Sequence, residues 1–422
     1  MELQTIIEQA SAHCDLTQVE DEKRLYTLTQ TLLDQATLSV EDVRNAAARN
    51  TTPLEFRVAA KLFESRRFAL RNKKAISVGV VFAMWGEQNR LRPKSDSNPN
   101  GEDALRRKIA QLEWISADSP ISWHLYAVDD GCPHGSGRLA QEIVHDLSQG
   151  ERVKVLFLKD QLGKGAGIIG RIRSVDESRK GGSVILGCQH AIRDGMDAII
   201  YTDADSSVHL GQIGLLLQKF IHEGHRIVLG NRKLPDAVLV KAEDRWGVGI
   251  KVLRHMQRMV GQAIYSLGIL DTQAAFKLYE RETLKRILAS TNVVDFSFDT
   301  DWIACAIARG ERIETIPFAF IDSFAESASI TQGPMTTWES LLKGLVQSVR
   351  AHGLTHNRAM AQVIDQEIKD ARDLECLIDH LPAELVDTDP ERLGDPKIMS
   401  PEALQAWIRE RKRRDRLSSR HA

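Results

Sequence analysis

The sequence predicts an α/β fold, with a mainly parallel central sheet and helical extensions at both ends. Three observations carry that expectation. Short apolar runs alternate with helix-like segments, the pattern of a parallel sheet. Each run ends on polar residues, at the edge where such sheets gather ligands. The flanks lose the strand signals and keep helical periodicity. The division expected is a helical segment over 1–74, a sheet domain over 75–333 and a helical segment over 334–422.

In the first flank, Thr52-Pro53-Leu54-Glu55 has the pattern of a capping box and opens a helix from Pro53 to about Arg71. Its residues Phe56, Ala59, Ala60, Leu62, Phe63 and Leu70 are spaced as one packed face. The first strand, Ala75 to Ala83, is a nearly unbroken apolar run, as a strand covered on both faces should be, and it leads into Gly86-Glu87. A second, Trp123 to Val128, ends in Asp129-Asp130-Gly131. A helix from Ser183 to Arg193 precedes a third strand, Asp197 to Tyr201, which ends in Thr202-Asp203-Ala204-Asp205. A fourth, Arg226 to Gly230, ends in Asn231-Arg232. Two insertions, Leu91 to Gly101 and Gln161 to Arg179, are expected as loops near the ligand-gathering edge. The last flank should hold helices over 338–352, 357–381 and, after the cap Ser400, 401–417. No internal repeat is present.

Asp203 and Asp205 stand one residue apart at a strand end. Mg²⁺ and Mn²⁺ prefer hard oxygen ligands and are held by one or two carboxylates together with substrate phosphates. A short, open carboxylate pair therefore suits a nucleoside-diphosphate site, and equally a solvated turn or a helix cap. The second acidic pair and the polar strand ends beside it favour the site.

Composition narrows the function classes. Of 422 residues, 42% are hydrophobic and 27% charged, the balance of a globular protein. Lys+Arg 56 against Asp+Glu 58 gives a net charge of -2, which provides no general attraction for nucleic acid. No apolar run reaches membrane-spanning length and the N-terminus lacks a secretory pattern, so a cytoplasmic protein is expected, with peripheral membrane contact and self-association left open. Cys14, Cys132, Cys188, Cys305 and Cys376 form no metal-binding spacing and fit a reducing compartment. The basic run from Arg409 to Arg416 fits a solvated helix end or a surface helix on an anionic membrane.

In order and spacing, these motifs resemble the family 2 glycosyltransferases of the GT-A fold, especially the polyprenyl-phosphate glucosyl- and mannosyltransferase branch, from about Ala75 to about Ser329. Val128-Asp129-Asp130-Gly131 is similar to the family's nucleotide-binding strand end, Lys180-Gly181-Gly182-Ser183 to its Lys-Gly-x-Ala helix start, and Asp203-Ala204-Asp205 to its metal-binding Asp-x-Asp. Gly230-Asn231-Arg232, Asp271-Thr272-Gln273-Ala274-Ala275-Phe276-Lys277-Leu278 and Phe298-Asp299-Thr300-Asp301 follow the later motifs. The resemblance implies a metal-dependent, inverting transfer of a hexose from a UDP-glucose or GDP-mannose type of donor to a hydroxyl or phosphate acceptor. It implies Mg²⁺ or Mn²⁺ on Asp203 and Asp205. Glu87, Asp129, Asp130, Lys180, Asp203, Arg232, Asp271 and Gln273 would bind donor or acceptor. Asp299 would be the base, with Asp301 the second candidate.

The chain departs from the pattern in several places. The usual Pro-x-Tyr-Asn-Glu after the first strand is Ala83-Met84-Trp85-Gly86-Glu87, Asp301 stands for Glu, and Ser206-Ser207-Val208-His209 replaces a proline-containing loop. A second glycine-lysine run, Leu162-Gly163-Lys164-Gly165-Ala166, lacks the full phosphate-loop pattern and is placed in an insertion. The rival classes are a nucleotidyltransferase of a sugar phosphate and a non-catalytic sugar-nucleotide-binding protein. The first should carry a glycine-rich basic loop where Trp85-Gly86-Glu87-Gln88 stands; retention of both Asp203 and Asp205 argues against the second.

Overall fold

The computed structural model describes residues 2–164, 167–241, 247–322 and 334–418. The end of the resembling segment, at Ser329, and Ala166 lie outside the described residues. The chain forms two compact units, one of Met1–Lys241, Gln273–Ser290 and Glu311–Ala325, the other of Ala242–Thr272, Thr291–Gly310 and Glu326–Ala422.

The strands of the first unit are β1 (Ile76–Met84), β2 (Ile121–Asp129), β3 (Val153–Phe157), β4 (Ala198–Thr202), β5 (Ile227–Gly230), β6 (Val238–Val240), β7 (Phe276–Glu280), β8 (Ile313–Ile316) and β9 (Ala319–Ile321). Seven of them form one sheet in the order β3-β2-β1-β4-β7-β5-β8, while β6 and β9 pair separately. Pairing in the large sheet is parallel except at β7, which runs antiparallel to both β4 and β5. The mainly parallel α/β fold expected from the sequence is the fold observed. In β1, Val78, Val80, Val81 and Phe82 are completely buried, so alternate side chains enter cores on opposite faces. The register pairs Met84 with Asp129 and Val81 with Tyr201, which brings the C-terminal ends of β1, β2 and β4 to one edge.

The first unit also holds helices α1 (Leu3–Glu8), α2 (Val19–Leu33), α3 (Val40–Ala47), α4 (Leu54–Arg71), α5 (Ala104–Ser116), α6 (Ser136–Asp146), α7 (Gly181–Arg193) and α8 (Ile213–Glu223). α7 lies close on the sheet because Gly187 has no side chain: a Cβ there would stand 2.4 Å from Val81 Cγ1. α4 joins two apolar cores. Its end, Phe68 and Ala69, enters the sheet core, and its beginning, Phe56 to Phe63, packs among α1–α3 and against β6 and β9. Residues 2–74 thus fold within the sheet's unit, so the observed limits differ from those expected at 75 and 334. The capping box expected at Thr52 does not form. Pro53 occupies the cap position, the Thr52 hydroxyl donates to the Ala46 carbonyl, and Glu55 accepts from the Ser11 amide and Arg24.

The second unit is helical among its described residues, with Ile250–Val260, Gln262–Tyr265, Phe298–Ala308, Pro334–Ala351, Arg358–Glu367, Arg372–Ile378, Ala383–Val386 and Pro401–Ser418. The single helix expected over 357–381 is two. Asn357 caps the first by accepting from the Met360 amide at 2.9 Å, and Ile368 is extended, which ends it. Ser400 caps the last helix, accepting from the Ala403 amide at 3.3 Å. The basic run on that helix is ion-paired: Arg409 with Glu367, Lys412 with Asp373 and Arg414 with Glu410, each at 2.7 Å. Among the described residues, no helix is long and apolar enough to cross a membrane.

Candidate functional site

Asp129 and Asp130 follow one another at the end of β2, and both are buried. The Asp129 carboxylate accepts from the amides of Gly131 and Cys132 at 3.0 Å and of Gly137 at 2.8 Å, which fixes the turn and the start of α6. The Asp130 carboxylate accepts from the hydroxyls of Ser178 and Ser183 and from the Lys180 amide at 2.6 Å. These are contacts internal to the fold. Both acids organise loops, because buried donors at a strand-to-helix turn need acceptors wherever water is excluded.

What Asp130 holds is unusual. Lys180 has φ +88°, a conformation L residues rarely adopt, and the preceding Arg179 is also left-handed. The bond from the Lys180 amide to Asp130 secures that backbone, and the Lys180 ammonium pairs with Asp203. Thus Asp130 acts through Lys180.

Asp203 and Asp205, just after β4, are half-buried. Burial alone would raise Asp203, but Lys180, Arg232 and Lys108 outweigh it and hold the carboxyl below its ordinary value. Asp205 goes the other way. Burial and the charge of Asp203, with Glu102 adding to them, push it above the usual range despite Arg90 and Lys108. Among the described residues, Asp205 accepts one side-chain hydrogen bond, from the Ser207 amide at 3.0 Å, and Asp203 one, from Lys180. Each carboxylate therefore keeps an oxygen clear.

A buried ionic frame surrounds this turn, and sequence reasoning missed most of it. Arg90 bridges Glu87 at 2.8 Å and Glu102 at 2.9 Å, closing the insertion over 91–101, and Glu102 also accepts from the Ser206 amide at 2.8 Å. Glu87 is thus tied to Arg90, and burial raises its carboxyl. Lys108, itself buried, donates to the Asp205 carbonyl at 2.7 Å. Behind it, Glu22 of α2 binds Arg107 at 2.9 Å and the Gln111 amide at 2.6 Å, and lies 3.3 Å from His209 Nε2. Gln111 in turn accepts from the Leu210 amide at 2.8 Å. The signal available in the sequence was Arg90 and Glu102, opposite charges flanking a polar insertion. Nothing local marks Glu22.

Arg232 lies over the Phe320 ring at 4.9 Å and contributes to the field at Asp203. Lys277 is completely buried in β7, its ammonium donating to the Ala274 carbonyl, so it is part of the core. Gln273 is half-buried in the turn before β7. Lys164 lies in an exposed turn of the second insertion.

The remaining candidates lie in the second unit. Asp271, Thr272 and Asp299 are buried near Tyr265; burial, with the charges of Asp271 and Asp299, raises its phenol, against a hydrogen bond from Thr272. Asp299 is in the first turn of the helix Phe298–Ala308, and the cap position belongs to Ser297. Asp301 is buried and committed on both oxygens, one to His352 Nε2 at 2.9 Å and the other to the Thr291 hydroxyl. Both oxygens thus serve the packing of its own unit.

No family model matches the chain. It is 26% identical over 200 residues to a polyprenol monophosphomannose synthase of Mycolicibacterium smegmatis, covering 47% of this chain and 67% of that one. It is also 26% identical over 260 residues to a dolichyl-phosphate beta-glucosyltransferase of Trichomonas vaginalis, covering 58% and 66%. In class, this chain is a glycosyltransferase. It resembles the polyprenyl-phosphate branch of family 2, as its motifs implied, and spans about two thirds of the length of these relatives. A solved glucosyl-3-phosphoglycerate synthase from Mycobacterium tuberculosis, in complex with Mn²⁺, UDP-glucose and phosphoglyceric acid, superposes with a TM-score of 0.45 at 12% identity, over 70% of this chain and 85% of that one.

Proposed function

We propose that this glycosyltransferase moves a hexose from a nucleoside-diphosphate sugar to a hydroxyl or phosphate acceptor, with a divalent metal and with inversion. The observation that supports this most directly is the turn after β4, where Asp203 and Asp205 are held with one clear oxygen each and burial, with the charge of Asp203, pushes Asp205 up. Among the described residues no group of three or more metal-ligating side chains occurs, and two carboxylates fit an ion whose other ligands are phosphate oxygens and water. Mg²⁺ or Mn²⁺ bound by Asp203 and Asp205 supplies neutralisation of charge on the leaving diphosphate. Lys180 and Arg232 add positive charge for the same diphosphate, and Asp129 and Asp130 serve the nucleotide through the loops they hold. Asp271 and Gln273 bind sugar or acceptor. A hydroxyl acceptor requires a base, which is Asp299; a phosphate acceptor is already ionised and requires none.

The order of motifs supports inversion, in which an α-linked donor gives a β-linked product. Five cysteines outside any disulfide fit a cytoplasmic site. Thermal shift with UDP- and GDP-sugars, with and without Mn²⁺, tests the proposal: a shift that needs both sugar nucleotide and metal is expected. A shift with nucleoside triphosphate and sugar phosphate instead would favour a nucleotidyltransferase, and binding without turnover a sugar-nucleotide-binding protein. NMR of the product's anomeric proton tests the stereochemistry, and an α-linked product from an α-linked donor would overturn it.

A further inference from the structure

α4 carries a buried cation without a partner. Lys61 is 5% exposed, yet among the described residues its ammonium makes no hydrogen bond and no ion pair. An ammonium on a buried stem that no protein group satisfies is open to an anionic ligand. The Lys61 side chain lines a cavity of about 100 Å³, together with Arg57, Arg44, Glu64 and Asp236. Arg44 and Glu64 pair with each other at 2.7 Å, which satisfies both. Arg57 has no ion pair among the described residues and sits one turn before Lys61 on the same helix. Like charges at that spacing repel. Asp236, on the exposed loop before β6, offers the one remaining carboxylate and lies beyond ion-pair distance of both.

We propose that this cavity binds a compact oxyanion, a single phosphate group, through Lys61 and Arg57 with Arg44 beside them. Its size suits one phosphate and not a nucleotide, and an ammonium with guanidinium groups is the donor set for a tetrahedral, multiply charged anion. Burial, reinforced by Arg44 and Arg57, lowers the Lys61 ammonium against the pull of Glu64 and Asp236, and a bound anion reverses that shift. None of these residues belongs to the cluster around Asp203 and Asp205. The phosphate is either free or carried by a phosphomonoester.

Calorimetric titration of the full chain with inorganic phosphate, and separately with glycerol 3-phosphate, tests this. One equivalent should bind, and Lys61→Met and Arg57→Gln should each weaken binding by about tenfold or more. Met keeps the length and apolar body of Lys61, and Arg57 is half-exposed, so at least one variant keeps the fold. Lys180→Met, at the start of α7, should leave phosphate binding as in the parent. Tighter binding of the phosphomonoester assigns the site to a metabolite, and equal or weaker binding to free phosphate. Parental affinity in both Lys61→Met and Arg57→Gln, loss in Lys180→Met instead, or no heat with either ligand overturns the proposal.

Discussion

The two acidic turns of the first unit look alike in sequence and differ in what surrounds them. At Asp129 and Asp130 the donors are backbone amides and serine hydroxyls, three to each carboxylate, and the acids are buried. At Asp203 and Asp205 each carboxylate has one donor among the described residues, the neighbours are Lys180, Arg232, Lys108 and Arg90, and the charge of Asp203 adds to the burial that raises Asp205. An acid that satisfies backbone amides is architecture, and an acid left facing another acid is available for chemistry. Asp301 is committed to His352 and Thr291, while Asp299 stands in a helix's first turn beside Tyr265.

The contrast is broken most directly at Asp205. Asp205→Ala should lower metal-dependent turnover about 10²- to 10³-fold, as loss of several kcal/mol of charge stabilisation predicts, with the melting temperature unchanged or raised because repulsion from Asp203 is relieved. Turnover near the parent would return the pair to an ordinary turn. Next in size is Asp299→Asn, expected to slow transfer to a hydroxyl acceptor by about two orders of magnitude. Asp301→Asn should instead appear chiefly in stability; a rate loss there as large as at Asp299, in a folded protein, would undo the assignment.

Asp129→Ala sharpens the comparison from the structural side. It leaves three amides without their acceptor and should cost roughly 2–4 kcal/mol, read from the denaturation midpoint. Preserved stability with lost donor affinity would mean that the carboxylate contacts the nucleotide after all. The smallest effect concerns the frame behind the β4 turn. Burial acts to raise Glu22, but His209, Arg107 and Gln111 outweigh it and hold it at about 2. A depressed carboxyl contributes stability that is present above its unfolded value near 4.5 and is lost as pH falls toward 2. Glu22→Gln should therefore be less stable than the parent at neutral pH by about 1–3 kcal/mol, with the gap closing over that acid window. A gap independent of pH would show that the charge of Glu22 is not what matters.

The sequence revealed the parts of the fold that were locally redundant. β1, β2, β4 and β5 announce themselves as apolar runs with polar ends. β7 was hidden in the segment read as a motif, Asp271 to Leu278, because Lys277 interrupts its apolar pattern and only the structure shows that ammonium satisfied inside the core. β3, with Lys154 at its second position, and the short β8 and β9 were hidden in the same way. The Glu55 pattern was recognised but misassigned, since its carboxylate serves Ser11 and Arg24. For the site, strand ends and carboxylate spacing located Asp203 and Asp205. The frame of Glu22, Arg107, Gln111 and His209 was invisible because its members are distant in sequence and each looks like an ordinary surface residue. Hydrogen-bond commitment also has no sequence signature, which is why Asp129 looked the same as Asp205.

The position of β7 bears on how the chain acquires this fold during synthesis. β4 and β5 are not neighbours; β7 lies between them and hydrogen-bonds to both. Until Phe276 to Glu280 has left the ribosome, β4, paired with β1 on one side, keeps a bare edge of amides and carbonyls on the other, on the strand that leads into Asp203 and Asp205, and β5 has no ladder to join. The nascent chain must pass through this open-edged state, and a product cut short before Phe276 stays in it, a template for pairing with other chains.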